Sequence, residues 1–189
     1  MRLRRKFYCL SSIVDFKQNY FQIFQLDVSF QVNLEQLSER FHELQLTVHP
    51  DKFVVASDQE KRLAAQWASQ INVAFDTLKQ PLSRAIYLLK LREIDLEANP
   101  NLSPAFLMGQ VELRETLEEI EEEGEEALPK LEAFKKELKE AMTKTELEFG
   151  RFYIQPSAEK EAIQLVYELQ FTNKLLIAAN LVEERLLDY

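Results

Sequence analysis

Glycine, histidine and cysteine are nearly absent from this 189-residue chain, which has three, two and one of them. So few glycines exclude a Gly-rich phosphate loop. They also argue against β-rich folds, whose tight turns need residues that tolerate positive φ, and favour long helices. The lone cysteine, Cys9, excludes an intrachain disulfide and any Cys-x-x-Cys metal pair, and fits a reducing compartment. His42 and His49 offer no i,i+4 ligand pair on a helix. No apolar run approaches the length of a membrane-spanning helix.

Cations are scarce where a nucleic-acid binder would need them. Residues 1–92 carry 13 Lys/Arg against 9 Asp/Glu, a net of +4; residues 93–189 carry 10 against 23, a net of −13, which together give −9. Phosphate contacts need clustered cations, so a general nucleic-acid partner is not expected. The asymmetry points to two modules with different partners. The basic start, "MRLRRKFYCLSSIVDFKQ", holds a short apolar run that two serines interrupt and Asp15 ends. It lacks the small-residue cleavage pattern of a secretory signal, and residues 1–18 read as a disordered extension, with a mitochondrial presequence as the other reading.

What is present is helical periodicity in a chain that is 46% hydrophobic and 29% charged, as expected of a soluble globular protein. Leu34, Leu37, Phe41, Leu44 and Val48 form one helical stripe, and Asn33 with Gln36 makes an N-cap pair. The aromatic run "NYFQIF" before it predicts one or two helical turns. Pro50 stops the first long helix, because its ring biases His49 away from the α region and it lacks an amide hydrogen. A second long helix starts at the capping-box spacing of Ser57 and Glu60 and runs through Ala64, Ala68, Ile71, Phe75 and Leu78. Two such stripes joined by a short loop imply an antiparallel hairpin. Pro81 opens a shorter helix, and residues 93–102 read as a linker. Beyond it, Ser103 and Pro104 start a helix that extends to Gly124. A further helix is predicted over about residues 125–149, ending at Gly150, and a last one from "QPSAEK" almost to Tyr189. The fold class is therefore all-α: a helical hairpin with short helices, then a three-helix bundle, with no repeats and no strands.

His49-Pro50-Asp51 sits in the hairpin connection and admits several readings. His and Asp are the usual general acid–base pair, but no Ser, Cys or Lys nucleophile accompanies them and Pro50 separates their side chains. A metal site lacks a third ligand, so a metal-dependent hydrolase is a weak alternative. A proline stop with an aspartate turn is the bland reading. In this position, however, followed by Lys52 and Phe53, the tripeptide resembles the defining motif of the J-domain, and the likeness covers roughly residues 19–92. It implies that His49, Pro50 and Asp51 stimulate ATP hydrolysis by a DnaK-class chaperone, with Lys52 and Arg40 joining them in the chaperone-binding surface. Pro50 pre-sets the loop and lowers the ordering cost of docking, and an exposed carboxylate can pair with an arginine on the partner. Two departures stand out. The Lys/Arg-rich face of the second J-domain helix is reduced to Arg40, opposed by Glu39 and Glu43, and Val48 replaces the tyrosine often found before the motif.

The acidic half carries a second face. At about 100° per residue with Leu107 at zero, Phe106, Leu113, Leu117 and Ile120 cluster near 220–280° and form the core stripe. Val111 and Met108 fall near 40° and 100°, with Glu112, Glu115 and Glu119 near 80–140°. Leu107, Met108 and Val111 thus make an apolar patch rimmed by acids, off the core. It is either scattered surface apolarity or packing on the hairpin, or else a partner surface. On the last helix Ala162, Leu165, Val166, Leu169 and Leu176 define the core, while Phe171 points the opposite way with no evident intrachain partner.

"AFLMGQVELRETLEEIE" and "QFTNKLLIAANLVEERLLDY", with "HPDKF" and "INVAFDTLKQPLSRAIYLL", resemble the HscB family of J-protein co-chaperones of iron–sulfur cluster assembly over about residues 19–189. The resemblance implies a C-terminal bundle, residues 103–189, that holds the cluster scaffold IscU through Leu107, Met108, Val111, Glu112, Glu115, Glu119 and Phe171. Gly109 departs from the family's acidic residue, and Val111 from its leucine. The cysteine-rich zinc domain of some eukaryotic members is not expected with Cys9 alone. The resulting expectation is a monomeric, bacterial-type cytoplasmic co-chaperone with no cofactor and no chemistry of its own. It would stimulate an HscA-like ATPase and recruit IscU; the alternatives are a mitochondrial matrix location, and a general J-protein delivering other clients to DnaK.

Overall fold

The computed structural model describes residues 17–54, 56–97 and 102–187. Among them every regular element is helical: α1 (Tyr20–Ile23), α2 (Leu34–Val48), α3 (Asp58–Lys79), α4 (Pro81–Leu91), α5 (Pro104–Glu122), α6 (Leu128–Tyr153) and α7 (Glu159–Leu187). Single 3₁₀ turns intervene at Pro50–Phe53, Gly124–Ala127 and Pro156–Ala158. The all-α expectation holds. The chain divides after Leu88, inside α4, into two compact units. Residues 1–16, most of the expected extension, lie outside the described residues.

In the N-terminal unit α2 and α3 form the antiparallel hairpin. Phe41 stacks on Phe75 with ring centroids 4.0 Å apart, and one turn further along Gln45 donates to Asn72 at 3.1 Å. The caps are those the residues dictate. Asn33 accepts from the amides of Glu35 and Gln36, at 3.0 and 3.1 Å; Ser57 and Glu60 form a reciprocal capping box. Leu37, Val48, Ala64, Trp67, Ile71, Ala74 and Leu78 are buried together with Phe21 and Phe24. Leu34, the first member of the expected stripe, is instead 48% exposed, because a first-turn residue lies beyond the end of the partner helix. Arg84 is buried: it donates to the Phe30 carbonyl at 2.7 Å and lies 5.2 Å from that ring's centroid. It thereby fixes the non-helical segment between α1 and α2. Tyr20 donates its amide to the Tyr87 hydroxyl at 2.9 Å and stacks on that ring. Burial raises the Tyr87 pKa.

In the C-terminal unit α5, α6 and α7 surround one core of Leu117, Ile120, Leu131, Phe134, Leu138, Leu175, Ala179, Val182 and Leu186. Gly124 ends α5 at φ 77°, a left-handed conformation that glycine adopts at little cost. Gly150 does not end α6, as expected from sequence; the helix runs on to Tyr153. Burying Phe149 and Tyr153 outweighs the roughly 1 kcal/mol that a mid-helix glycine costs. On α7 it is Leu175 that is buried, while Leu176 is only half-buried, since the buried stripe drifts by one position along so long a helix.

The segment read as a linker starts from a tight stop. The Ile94 and Glu93 amides donate to the Leu89 and Lys90 carbonyls, with Glu93 at φ 61°, which is a Schellman arrangement. The Arg92 guanidinium lies 3.7 Å from the centre of the Tyr153 ring. Tyr167 clasps the backbone of Glu97, accepting from its amide at 2.7 Å and donating to its carbonyl at 3.3 Å. Residues 92–97 are therefore tied to the C-terminal unit.

Candidate functional site

The His49 loop is built by the end of α2. His49 stands at φ −59°, ψ 133°, the extended conformation required of a residue before proline. Its carbonyl accepts from the Lys52 amide at 3.0 Å, closing the turn that Pro50 begins. Its ring Nδ1 accepts from the Asp51 amide at 3.3 Å. In the neutral imidazole that bond puts the ring proton on Nε2, pointing away from the loop backbone. Nδ1 also lies 3.5 Å from an Asp51 carboxylate oxygen, but it cannot accept from the amide and donate to that oxygen at once. The backbone bond is the one that a neutral imidazole can make. The Asp51 side chain is 86% exposed, so its carboxylate is free to pair with a cation from outside.

This geometry suits recognition better than proton transfer. A general base needs a free lone pair aimed at a substrate, and the His49 Nδ1 lone pair is spent on the protein's own backbone. Among the described residues, no three of His, Cys, Asp and Glu converge as a metal site. Lys52 is exposed at the end of the turn. Arg40, the one cation on its stretch of α2, is paired with Glu43 at 3.0 Å.

The second surface is the outward side of α5. Ser103 caps the helix by accepting from the Phe106 amide at 3.2 Å, and Pro104 fills the first position, where a missing amide costs nothing. These fix where the helix starts, and burial of Leu117 and Ile120 on one side decides which side chains face outward. Leu107, Met108 and Val111 are 43, 64 and 54% exposed, far above what core leucines show. Glu112, Glu115 and Glu119 are exposed beside them. Gly109 has nothing within 4 Å of the position a Cβ would take, so no close approach demands glycine there.

Phe171 corrects the sequence expectation. It has an intrachain partner: it is half-buried and meets Phe106 edge to face, with centroids 5.7 Å apart, and the Lys174 ammonium lies 5.7 Å from its ring centre. Phe106, assigned to the core from its helical phase, is itself only half-buried. The pair brings α7 to the first turn of α5, so Phe171 lies next to the start of the Leu107–Val111 patch rather than alone. Helical phase could not have shown this, because it orders residues around one helix and says nothing of the neighbouring one.

Comparison with known proteins bears on the fold and the family. The family model described as the HSCB C-terminal oligomerisation domain matches residues 102–180, the part that carries α5 and most of α7. The co-chaperone protein HscB homolog of Shewanella loihica is 41% identical over 172 residues, covering 89% of this chain and 99% of that protein. Its counterpart in Colwellia psychrerythraea is 50% identical over 109 residues, 57% of this chain and 62% of that protein. Among solved structures, the chaperone HscB from Vibrio cholerae superposes with a TM-score of 0.80 at 36% identity, covering 89% of this chain and 99% of that one. Near-complete coverage at this identity, on the same all-helical architecture, leads to one conclusion: the chain belongs to the HscB family of co-chaperones.

Proposed function

We propose that the protein serves iron–sulfur cluster biogenesis by joining two partners. The J-domain, residues 19–92, stimulates ATP hydrolysis by an HscA-like, DnaK-class chaperone through His49, Pro50 and Asp51, with Lys52 and Arg40 beside them. A linker at residues 93–102 leads to the bundle of residues 103–189, which recruits an IscU-type scaffold. That recruitment uses Leu107, Met108, Val111, Glu112, Glu115, Glu119 and Phe171. The protein acts as a cytoplasmic monomer. It is not an enzyme; it tethers, raising the effective concentration of the scaffold at the chaperone.

The observation that carries this reading is the pairing of two outward-facing surfaces of opposite character. One is a polar loop whose carboxylate is held ready for a cation; the other is an apolar, acid-rimmed helix face. Separate variants test the division of labour. Asp51→Asn is expected to abolish ATPase stimulation while purified scaffold still binds. Met108→Ala with Val111→Ala is expected to weaken scaffold binding at least tenfold by calorimetry, as loss of a central apolar anchor does, with basal stimulation intact. These are cleaner probes than Phe171→Ala, which also breaks the contact with Phe106. Failure of the wild-type protein to bind scaffold at micromolar concentration, or loss of both activities in both folded variants, overturns the reading.

A further inference from the structure

The N-terminal unit holds an apolar cleft of about 340 Å³ directly beside the His49 loop. Its walls are Val48, Phe53 and Val54, the residues that flank the loop in the chain, and its floor is Ala64, Ala65 and Ala68 of α3. Three methyl side chains, two on one turn and one on the next, reach less far than longer side chains, which leaves the depression open. Val54, at one edge, is 68% exposed, a large apolar side chain with no burial to justify it. The stem of Lys61 borders the opening, with its ammonium 4.0 Å from Asp58.

The α2 face leading to the cleft is poor in cations, while Lys52 in the loop and Lys61 at the opening are exposed. Between the α2 N-terminus and the loop Arg40 is the sole Lys or Arg, it is paired with Glu43, and Glu39 is exposed on the same helix. Attraction between exposed charges is modest and salt-screened even when the cations are free. An acidic partner surface therefore gains little from α2, and a further contact beside the loop adds more than this helix face can. Apolar burial is the term on offer within reach of Asp51.

We propose that this cleft receives an aliphatic or aromatic side chain of the DnaK-class chaperone, so that the J-domain docks through an apolar anchor beside the His49–Asp51 loop in place of a basic helix face. The inference rests on the chaperone reading of that loop. Its occupant belongs to the same partner because the cleft walls and the loop are one continuous stretch of chain, Val48 to Val54.

Stimulation of a purified HscA-like chaperone by the full-length protein tests it, read as a half-saturating concentration and a maximal rate. Ala65→Gln lays a polar chain across the cleft from an exposed helical position, and Val54→Ser removes an exposed wall; neither disturbs the core. Each is expected to raise the half-saturating concentration about tenfold with the maximal rate retained, as removal of a small apolar anchor does. The wild-type value is expected to change less than about threefold between low and physiological salt, since the anchor is apolar and the ionic contacts of the loop are few. An unchanged half-saturating concentration in both variants, while Asp51→Asn loses stimulation, overturns the cleft and leaves the loop reading standing. No stimulation by the wild-type protein sinks both. If the two variants instead alter sedimentation of the protein alone, the occupant is a second copy and the proposal is wrong.

Discussion

The two units display their surfaces by opposite means. In the N-terminal unit the candidate residues sit where a helix stops: Pro50 ends α2, and four consecutive residues become a turn whose shape is held by the His49 carbonyl and ring. In the C-terminal unit they sit where a helix continues, and their position is fixed only by the phase of α5 against its core side, Leu117 and Ile120. A loop of the first kind is specified by a few residues and tolerates almost no change within them. A face of the second kind is specified by periodicity over several turns, so single residues such as Gly109 can vary without moving it. The difference predicts that damage to packing should erase one function at a time, and damage to local caps should fall mainly on the loop.

The largest effects are expected from the cores. Leu131→Ala and Leu78→Ala each remove a side chain with no exposure, one in each unit, and should each cost about 3 kcal/mol from the lost transfer energy and the cavity left behind. Urea unfolding followed by circular dichroism measures the cost. If the units carry separate functions, the first variant should lose scaffold binding near its midpoint while the second loses ATPase stimulation. Parallel loss of both activities in both variants would break the comparison.

Arg84→Met should follow at about 2 kcal/mol, because it strands the Phe30 carbonyl that Arg84 Nη1 now satisfies inside the N-terminal unit. A thermal melt reads this, and scaffold affinity measured at low temperature should not change.

What the sequence makes legible follows the same division. Asn33, Ser57 with Glu60, Ser103 with Pro104, and Gly124 announce their helix ends because capping is chemistry among residues three or four apart. The outward placement of Leu107, Met108 and Val111 is legible for a related reason: one helix fixes the phase of all its members. What was not legible depends on a second element. Phe171 finds its partner, Phe106, on another helix, and Gly150 lies inside α6 because Phe149 and Tyr153 fill a core. The choice of Leu175 over Leu176 belongs here as well, since only the facing helices say where the buried stripe has drifted. The cleft over Ala64, Ala65 and Ala68 is of the same kind, because alanines on a helix read as close packing until the neighbouring loop is seen to leave them uncovered.

A smaller effect separates the caps. Asn33→Ala removes the acceptor for two amides at the start of α2 and should cost about 1 kcal/mol by denaturant titration. The helix it weakens ends at His49, so its influence on the loop is exerted from the far end of α2. A measurable fall in maximal ATPase stimulation by this variant, at a temperature where it is fully folded, would show that the loop depends on more than its own turn.

The smallest effect concerns pH and lies at the start of α3, just after the loop. Glu60 accepts from the Ser57 amide at 2.9 Å and from the Ser57 hydroxyl at 2.8 Å, and these bonds hold its pKa below the ordinary 4.5, the backbone bond most of all. A carboxyl with a depressed folded pKa stabilises the fold above its unfolded value, and that contribution is lost as pH falls through the folded value. The stability difference between wild type and Glu60→Gln should therefore be present at neutral pH and shrink once the pH drops below about 4.5, because protonated Glu60 no longer benefits from both donors. The carboxylate also sits in the first turn of α3, where its negative charge suits the helix N-terminus, so both contributions fade together on acidification. Denaturant midpoints of the two proteins, compared at several pH values, give the difference directly. A gap that widens on acidification would mean that Glu60 is not bonded to Ser57 in solution, and the capping box that starts α3 would have to be withdrawn.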